Sequence, residues 1–246
     1  MAIMGNFLVY KCSPTELLVI KYFQGDQMKL LLTSTGITNE SIKKKFIEMV
    51  GKQPEEMTVA YIPTAVNVAR PIDKRWIINN LIELDQMKVG KIDIVEFSAI
   101  PKEIWLPRLK QADVIMVGGG NPYHLIYSMR KAGLSDILKD LIAGKVYVGC
   151  SAGSVILGKV IITTAPRKYS EEIPEFEGDK GFEYVDFSIR PHFYNPDRPQ
   201  FTEDTVQELA NTYQSTFYAI DDNSAVAVEN GKVEVISEGK WGKFEV

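Results

Sequence analysis

The chain is poor in the residues that build metal centres and disulfide scaffolds: its 246 residues include two histidines and two cysteines. Two histidines exclude a multi-histidine metal site by count. There is no C-x-x-C and no H-E-x-x-H, and Cys12 with Cys150 cannot form a disulfide framework. The sequence therefore reads as a reduced, cytoplasmic protein that uses no metal or other cofactor. An excess of positive charge is also missing. The formal net charge of −4 leaves no basic field for nucleic acid or an anionic membrane surface. No apolar run approaches the roughly 18 residues that a membrane-spanning helix requires, and neither internal repeats nor low-complexity tracts occur.

What remains is an ordinary globular composition, 45% hydrophobic and 24% charged, arranged as alternating strands and helices. Residues 1–27 read as an upstream or non-native extension outside the fold, because their apolar stretches at 7–9 and 17–20 are broken by Lys11, Pro14 and Glu16. Met28 is the expected natural start, since Gln24-Gly25-Asp26-Gln27 can be encoded by a purine-rich ribosome-binding sequence; an endogenous N-terminus upstream of Met28, found by mass spectrometry, would overturn this. From there to residue 246 the pattern predicts one domain.

Strands are expected at 30–33, 58–62, 91–97, 114–117 and 146–148, and helices at 39–50 (with Thr38 as N-cap), 69–87, 101–110, 123–132 and 134–143. This spacing predicts right-handed βαβ units, and so a mostly parallel, doubly wound α/β sheet with helices on both faces. Beyond Leu157 the expected order is a strand at 159–164, a polar loop over 166–181, a strand at 184–189, a helix at 202–214, a strand at 216–220, and a C-terminal hairpin turning on Asn230-Gly231.

The chemistry centres on Gly149-Cys150-Ser151-Ala152-Gly153, a G-x-S-x-G pattern between a strand-like and a helix-like run. Such a turn lifts the serine clear of the backbone beside free N–H groups. Glycines two before and two after it are required because a Cβ there would strike the neighbouring strand or the turn itself. Centring the pattern on Cys150, as a class I glutamine amidotransferase would, needs glycines where Val148 and Ala152 stand. A second glycine run, Gly118-Gly119-Gly120-Asn121-Pro122, follows the apolar strand at 114–117; it reads equally as an oxyanion loop or as a tight strand-to-helix connection. It does not complete G-x-G-x-x-G.

A serine nucleophile needs a base and an orienting acid. His192, at a strand end beside Pro191, is the better base, and His124 lines the pocket or caps its helix. Asp221 and Asp222 follow a strand, where an Asp-Asp-Asn-Ser run is also simply a turn. An α/β-hydrolase fits less well, because there the acid precedes the histidine.

These residues resemble the peptidase E-type aspartyl dipeptidases, serine peptidases on a fold similar to that of the class I glutamine amidotransferases. The matching pieces are Lys29-Leu-Leu-Leu-Thr-Ser, Ala60-Tyr-Ile-Pro-Thr-Ala, Gly118-Gly-Gly-Asn, Gly149-Cys-Ser-Ala-Gly and Pro191-His-Phe. The resemblance implies a triad of Ser151, His192 and an acid falling on Asp222, with Asp221 still open, and oxyanion donors at the N–H groups of Gly120 and Ala152. It implies a short peptide substrate with an N-terminal aspartate, held by residues among Asn121, Tyr123, His124 and Arg190, on a monomer or small homo-oligomer. Arg167, Lys168 and Arg198 are further candidates for a substrate carboxylate. Two positions depart from the family: Pro166 stands where some members carry an aspartate, and Pro122-Tyr123-His124 replaces a threonine and an aromatic. The alternatives are a cyanophycinase-like β-aspartyl peptidase and a non-catalytic binder of a small acidic metabolite.

Overall fold

The computed structural model describes residues 28–68, 73–162 and 179–246 in full, and three N-terminal strands by their backbone. Those strands, β1 (Ala2–Met4), β2 (Phe7–Lys11) and β3 (Leu17–Lys21), form an antiparallel sheet of their own. The first strand expected from the pattern follows Met28, and these three precede it.

The main body starts at β4 (Lys29–Thr33) and continues with α1 (Glu40–Val50), β5 (Thr58–Ile62), α2 (Arg75–Gln86), β6 (Lys91–Ile94), α3 (Lys102–Gln111), β7 (Val114–Val117), α4 (Pro122–Lys131), α5 (Leu138–Ile142) and β8 (Val146–Cys150). After a single-turn α6 (Ala152–Val155) come β9 (Ser188–Pro191), α7 (Glu203–Tyr213), β10 (Phe217–Ile220), the hairpin β11 (Ser224–Glu229) and β12 (Lys232–Ser237), and β13 (Trp241–Phe244). The central seven-stranded sheet has the order β12-β11-β4-β8-β7-β5-β6. The five strands from β4 to β6 are parallel, and β11 joins antiparallel to β4. The expected fold class is borne out.

Both faces of the four inner parallel strands, β4, β5, β7 and β8, are covered, which is why they read as continuous apolar runs, whereas the edge strand β6 alternates and is partly exposed. Leu30 and Leu32 face a core with Trp105, Leu125 and Leu138 of α3, α4 and α5, while Leu31 between them faces Ile42, Phe46 and Leu84 of α1 and α2. All three leucines are fully buried, each stabilising the fold by about 1.5–3 kcal/mol relative to exposure. β8 runs between β4 and β7, so its carboxyl end opens at the middle of the sheet.

Several boundaries moved. The strand expected at 91–97 stops at Ile94, and the helix expected at 134–143 is only α5. The helix expected at 69–87 begins at Arg75, with 69–72 outside the described residues, as are 163–178, which hold Pro166, Arg167, Lys168 and most of the expected polar loop. Of the strand expected at 159–164, residues 163–164 lie outside the described residues, and the rest contributes one bridge, Val160 to Lys180. α1 is capped by Asn39, whose side chain accepts from Ile42 N–H, and ends at Gly51 with φ 72°. Thr38 is instead turned towards Asp222, where its hydroxyl donates to the backbone carbonyl at 3.0 Å.

A third sheet, in the order β13-β10-β9, was not foreseen. The strand expected at 184–189 is shifted to Ser188–Pro191 because it pairs in parallel with β10, matching Ser188 to Phe217 and Pro191 to Ile220. Parallel partners end side by side. The residues just beyond each, His192 and the pair Asp221 and Asp222, are therefore neighbours.

Candidate active site

Ser151 stands at the end of β8 with φ 48° and ψ −103°, a strained conformation that costs a non-glycine residue about 1–3 kcal/mol. The flanking glycines are what permit it. A Cβ on Gly149 would lie 2.6 Å from Ser154 N, and one on Gly153 would lie 2.2 Å from the Val117 carbonyl of β7. Tyr147 closes the turn from below, its hydroxyl donating to the Gly153 carbonyl at 2.7 Å. Because α6 is a single turn, any charge developing beside Ser151 would be met by individual N–H groups rather than by a long helix macrodipole.

Ser151 Oγ is 3.0 Å from His192 Nε2, and His192 Nδ1 is 2.8 Å from Asp222 Oδ1. With the proton on Nδ1, imidazole donates to the carboxylate and leaves Nε2 free to accept from Ser151. His192 itself has φ 61°. The sequence did not assign a role to Ser34, which follows β4. Its hydroxyl donates to Asp222 Oδ1 at 2.6 Å and accepts from the His192 backbone N–H at 2.9 Å. Asn195 Nδ2 donates to the other carboxylate oxygen at 2.8 Å. The pair left open in the sequence is separated by these contacts. Asp221 turns away, its carboxylate accepting from Asn223 N, Ser224 Oγ and Lys240 N to close the turn ahead of β11.

Burial works against ionisation of Asp222, but the hydrogen bond and charge of His192, with the bonds from Ser34 and Asn195, outweigh it and bring its carboxyl down to about 2. Burial pushes the His192 imidazole below its ordinary value; the Asp222 hydrogen bond opposes this, and the nearby Arg198 and Arg190 charges add to it. Cys150, buried beside Ser151, has its thiol pushed up to about 12 by burial, which disfavours the thiolate that a nucleophile needs.

The glycine loop lies against the same opening. Gly120 adopts φ 145°, where a Cβ would come within 2.2 Å of the Ala65 carbonyl, so the loop packs directly on the turn after β5. Among the described residues no acceptor takes the backbone N–H of Gly119, Gly120 or Ala152. Asn121 caps α4, its side-chain oxygen accepting from Tyr123 N at 3.0 Å and His124 N at 3.2 Å. Tyr123 is buried, and its hydroxyl donates to Asp179 at 2.6 Å. His124 Nε2 lies 3.4 Å from Ser128 Oγ, and burial lowers the affinity of its ring for a proton. Arg190 is 2% exposed. Its guanidinium stacks 3.3 Å from the Phe201 ring centroid and donates to the Ile162 carbonyl at 2.5 Å, leaving Nε without a partner among the described residues. The strand-end pattern pointed to Arg190, but nothing in the sequence marked Phe201 as its platform.

A parallel α/β sheet that presents a serine on a strained turn, hydrogen-bonded through histidine to a carboxylate, defines the class of nucleophile-elbow proteins. Within that class the chain belongs to peptidase family S51, whose family model matches residues 30–236. Among its relatives, an uncharacterized peptidase of Listeria monocytogenes serovar 1/2a is 29% identical over 177 residues, spanning 72% of this chain and 84% of the relative. Peptidase E of Shewanella baltica OS185 is 35% identical over 98 residues, 39% of this chain and 40% of the relative. The fold matches a crystal structure from Listeria monocytogenes EGD-e provisionally named peptidase E, with TM-score 0.69 and 23% identity over 86% of this chain and 99% of that one. It also matches a peptidase from an acI-B1 Actinobacterium, with TM-score 0.65 and 18% identity over 91% and 93% of the two chains. The resemblance to the peptidase E-type family is thereby borne out.

Proposed function

We propose that this peptidase is a serine dipeptidase that cleaves short peptides with an N-terminal aspartate through an acyl-enzyme. Ser151 attacks the scissile carbonyl while His192 Nε2 takes its proton, and Asp222 holds the imidazole in the required tautomer. The N–H groups of Gly120 and Ala152 receive the oxyanion. His192 returns the proton to the departing amine, and water activated by the same imidazole then cleaves the ester. The observation that carries this reading is the unbroken hydrogen-bonded series from Ser151 Oγ to the Asp222 carboxylate.

A preference for acidic substrates is supported by the two arginines near His192. Among the described residues Arg190 forms no ion pair with a carboxylate; Asp222 and Asp197 already attract Arg198, and both arginine charges reach His192. A substrate carboxylate would supply the partner that Arg190 lacks there.

The test is hydrolysis of Asp-X, Glu-X, Ala-X and β-Asp-X dipeptides by the wild type and by Ser151→Ala. Cleavage of Asp-X alone, abolished in the variant, is the expected result. Cleavage of β-aspartyl substrates alone would replace the reading with a cyanophycinase-like one, and absence of labelling by a serine-directed phosphonate would leave a binding protein.

A further inference from the structure

α2 follows β5, so in a parallel α/β layer its first turn lies at the carboxyl ends of the strands, level with Ser151. The helix is anchored there at two points. Asn80, almost fully buried, donates from Nδ2 to the Thr35 carbonyl at 2.6 Å and accepts from the Tyr61 hydroxyl at 3.5 Å. Glu83 accepts from the Ile37 backbone N–H at 3.2 Å. Both contacts hold α2 onto the segment that begins with Ser34. One turn before Asn80, on the same helix face, stands Trp76.

Its position is set by Gly119. The point where a Cβ on Gly119 would sit lies 3.4 Å from Ser151 Cβ, 3.5 Å from the Cys150 carbonyl and 3.9 Å from Trp76 Nε1. The indole N–H thus borders the same small space as the serine, and among the described residues no acceptor takes it. A partly buried indole N–H ordinarily finds a partner.

We propose that Trp76 is a specificity-determining residue, its indole N–H donating to the side-chain carboxylate of the substrate's N-terminal residue. This rests on the dipeptidase reading above. An N-terminal aspartyl residue offers two kinds of acceptor in this space: the scissile carbonyl, which the Gly120 and Ala152 amides take, and the side-chain carboxylate. The α-ammonium can only donate.

The experiment has a kinetic and a binding arm. In the first, Trp76→Phe keeps an aromatic ring but removes the donor. It should lower kcat/KM for Asp-Leu about tenfold, the loss of one hydrogen bond to a charged group, while changing the rate at which a small fluorophosphonate labels Ser151 less than twofold. Equal losses in both readouts, or no loss on Asp-Leu, would overturn the proposal. In the second arm, Asp-Leu is titrated into Ser151→Ala while tryptophan emission is followed, with Trp105 buried in the core and Trp241 on β13 as the other emitters. The emission change should vanish, and the affinity fall about tenfold, when Trp76→Phe is added; an undiminished response would refute the assignment. Should the wild type hydrolyse nothing, the dipeptidase reading falls by itself, and the binding arm still decides whether Trp76 contacts an acidic dipeptide.

Discussion

Ser34 and Asp222 are 188 residues apart in the chain and share a 2.6 Å hydrogen bond. The same hydroxyl accepts the backbone N–H of His192 at 2.9 Å, so one buried serine fixes both the carboxylate and the segment that carries the imidazole. Ser34→Ala leaves the His192 N–H without its acceptor and removes one of the bonds that hold Asp222 ionised. The expected result is a fall in kcat/KM of about tenfold to a hundredfold, the scale of a hydrogen bond to a charged group. The fold should persist, and Ser34→Thr, which restores the hydroxyl, should recover part of the loss. A variant with wild-type kinetics would remove Ser34 from the site.

Asp221 and Asp222 should separate cleanly when each is changed to asparagine. Asp222→Asn presents an amide to His192 Nδ1, which favours the wrong tautomer, and should reduce kcat by about 10³- to 10⁴-fold with little change in melting temperature. Asp221→Asn weakens the turn that binds Lys240 N and Ser224 Oγ, so it should lower the melting temperature while keeping most of the activity. The reverse pattern would exchange their roles.

Burial lowers the proton affinity of His192 from its reference value of 6.5, and a general base must be neutral to accept a proton. The acid limb of kcat/KM should therefore fall below pH 6.5. In Asp222→Asn it should move further into acid, because the carboxylate is what opposes the effect of burial. Stability carries the same sign. The unfolded chain binds a proton at His192 more readily than the native one, so this contribution is present above about pH 6.5 and is lost as pH falls through the folded value. The Asp222 carboxylate, held at about 2, adds a second loss further into acid. A profile whose acid limb lies above pH 6.5 would refute this account.

The parallel sheet was legible because β4, β5, β7 and β8 are continuous apolar runs between turn signals, and the serine because its glycines sit where the fold has no room for a Cβ. His192 was legible as one of two histidines. Other features depend on pairings that no local pattern encodes. The geometry that sets Asp222 apart from Asp221 lies in its contacts with His192, Ser34 and Asn195, which come from distant parts of the chain. Ser34 reaches His192 and Asp222 because β4 lies next to β8, and Trp76 comes near Ser151 because the first turn of α2 lies beside Gly119. β13 escaped notice because Trp241-Gly-Lys-Phe is too short, and too broken by glycine, to read as a strand.

Two glycine substitutions should show how far the turn around Ser151 depends on close packing. At Gly51, which caps α1 with φ 72° and has nothing within 4 Å of an added Cβ, alanine meets only backbone strain, about 1 kcal/mol, or roughly 2–4 °C in melting temperature, with activity kept. At Gly153 the Cβ would meet the Val117 carbonyl at 2.2 Å. Both partners are backbone, so neither can move without shifting α6 off β7, and Ser151 would be displaced from His192. Gly153→Ala should lower the melting temperature by about 5–10 °C, from an overpacking cost near 3 kcal/mol. It should also abolish labelling of Ser151 by a fluorophosphonate at temperatures where the fold survives. Retained labelling there would mean that the turn tolerates a Cβ and that the second glycine of the motif has another purpose.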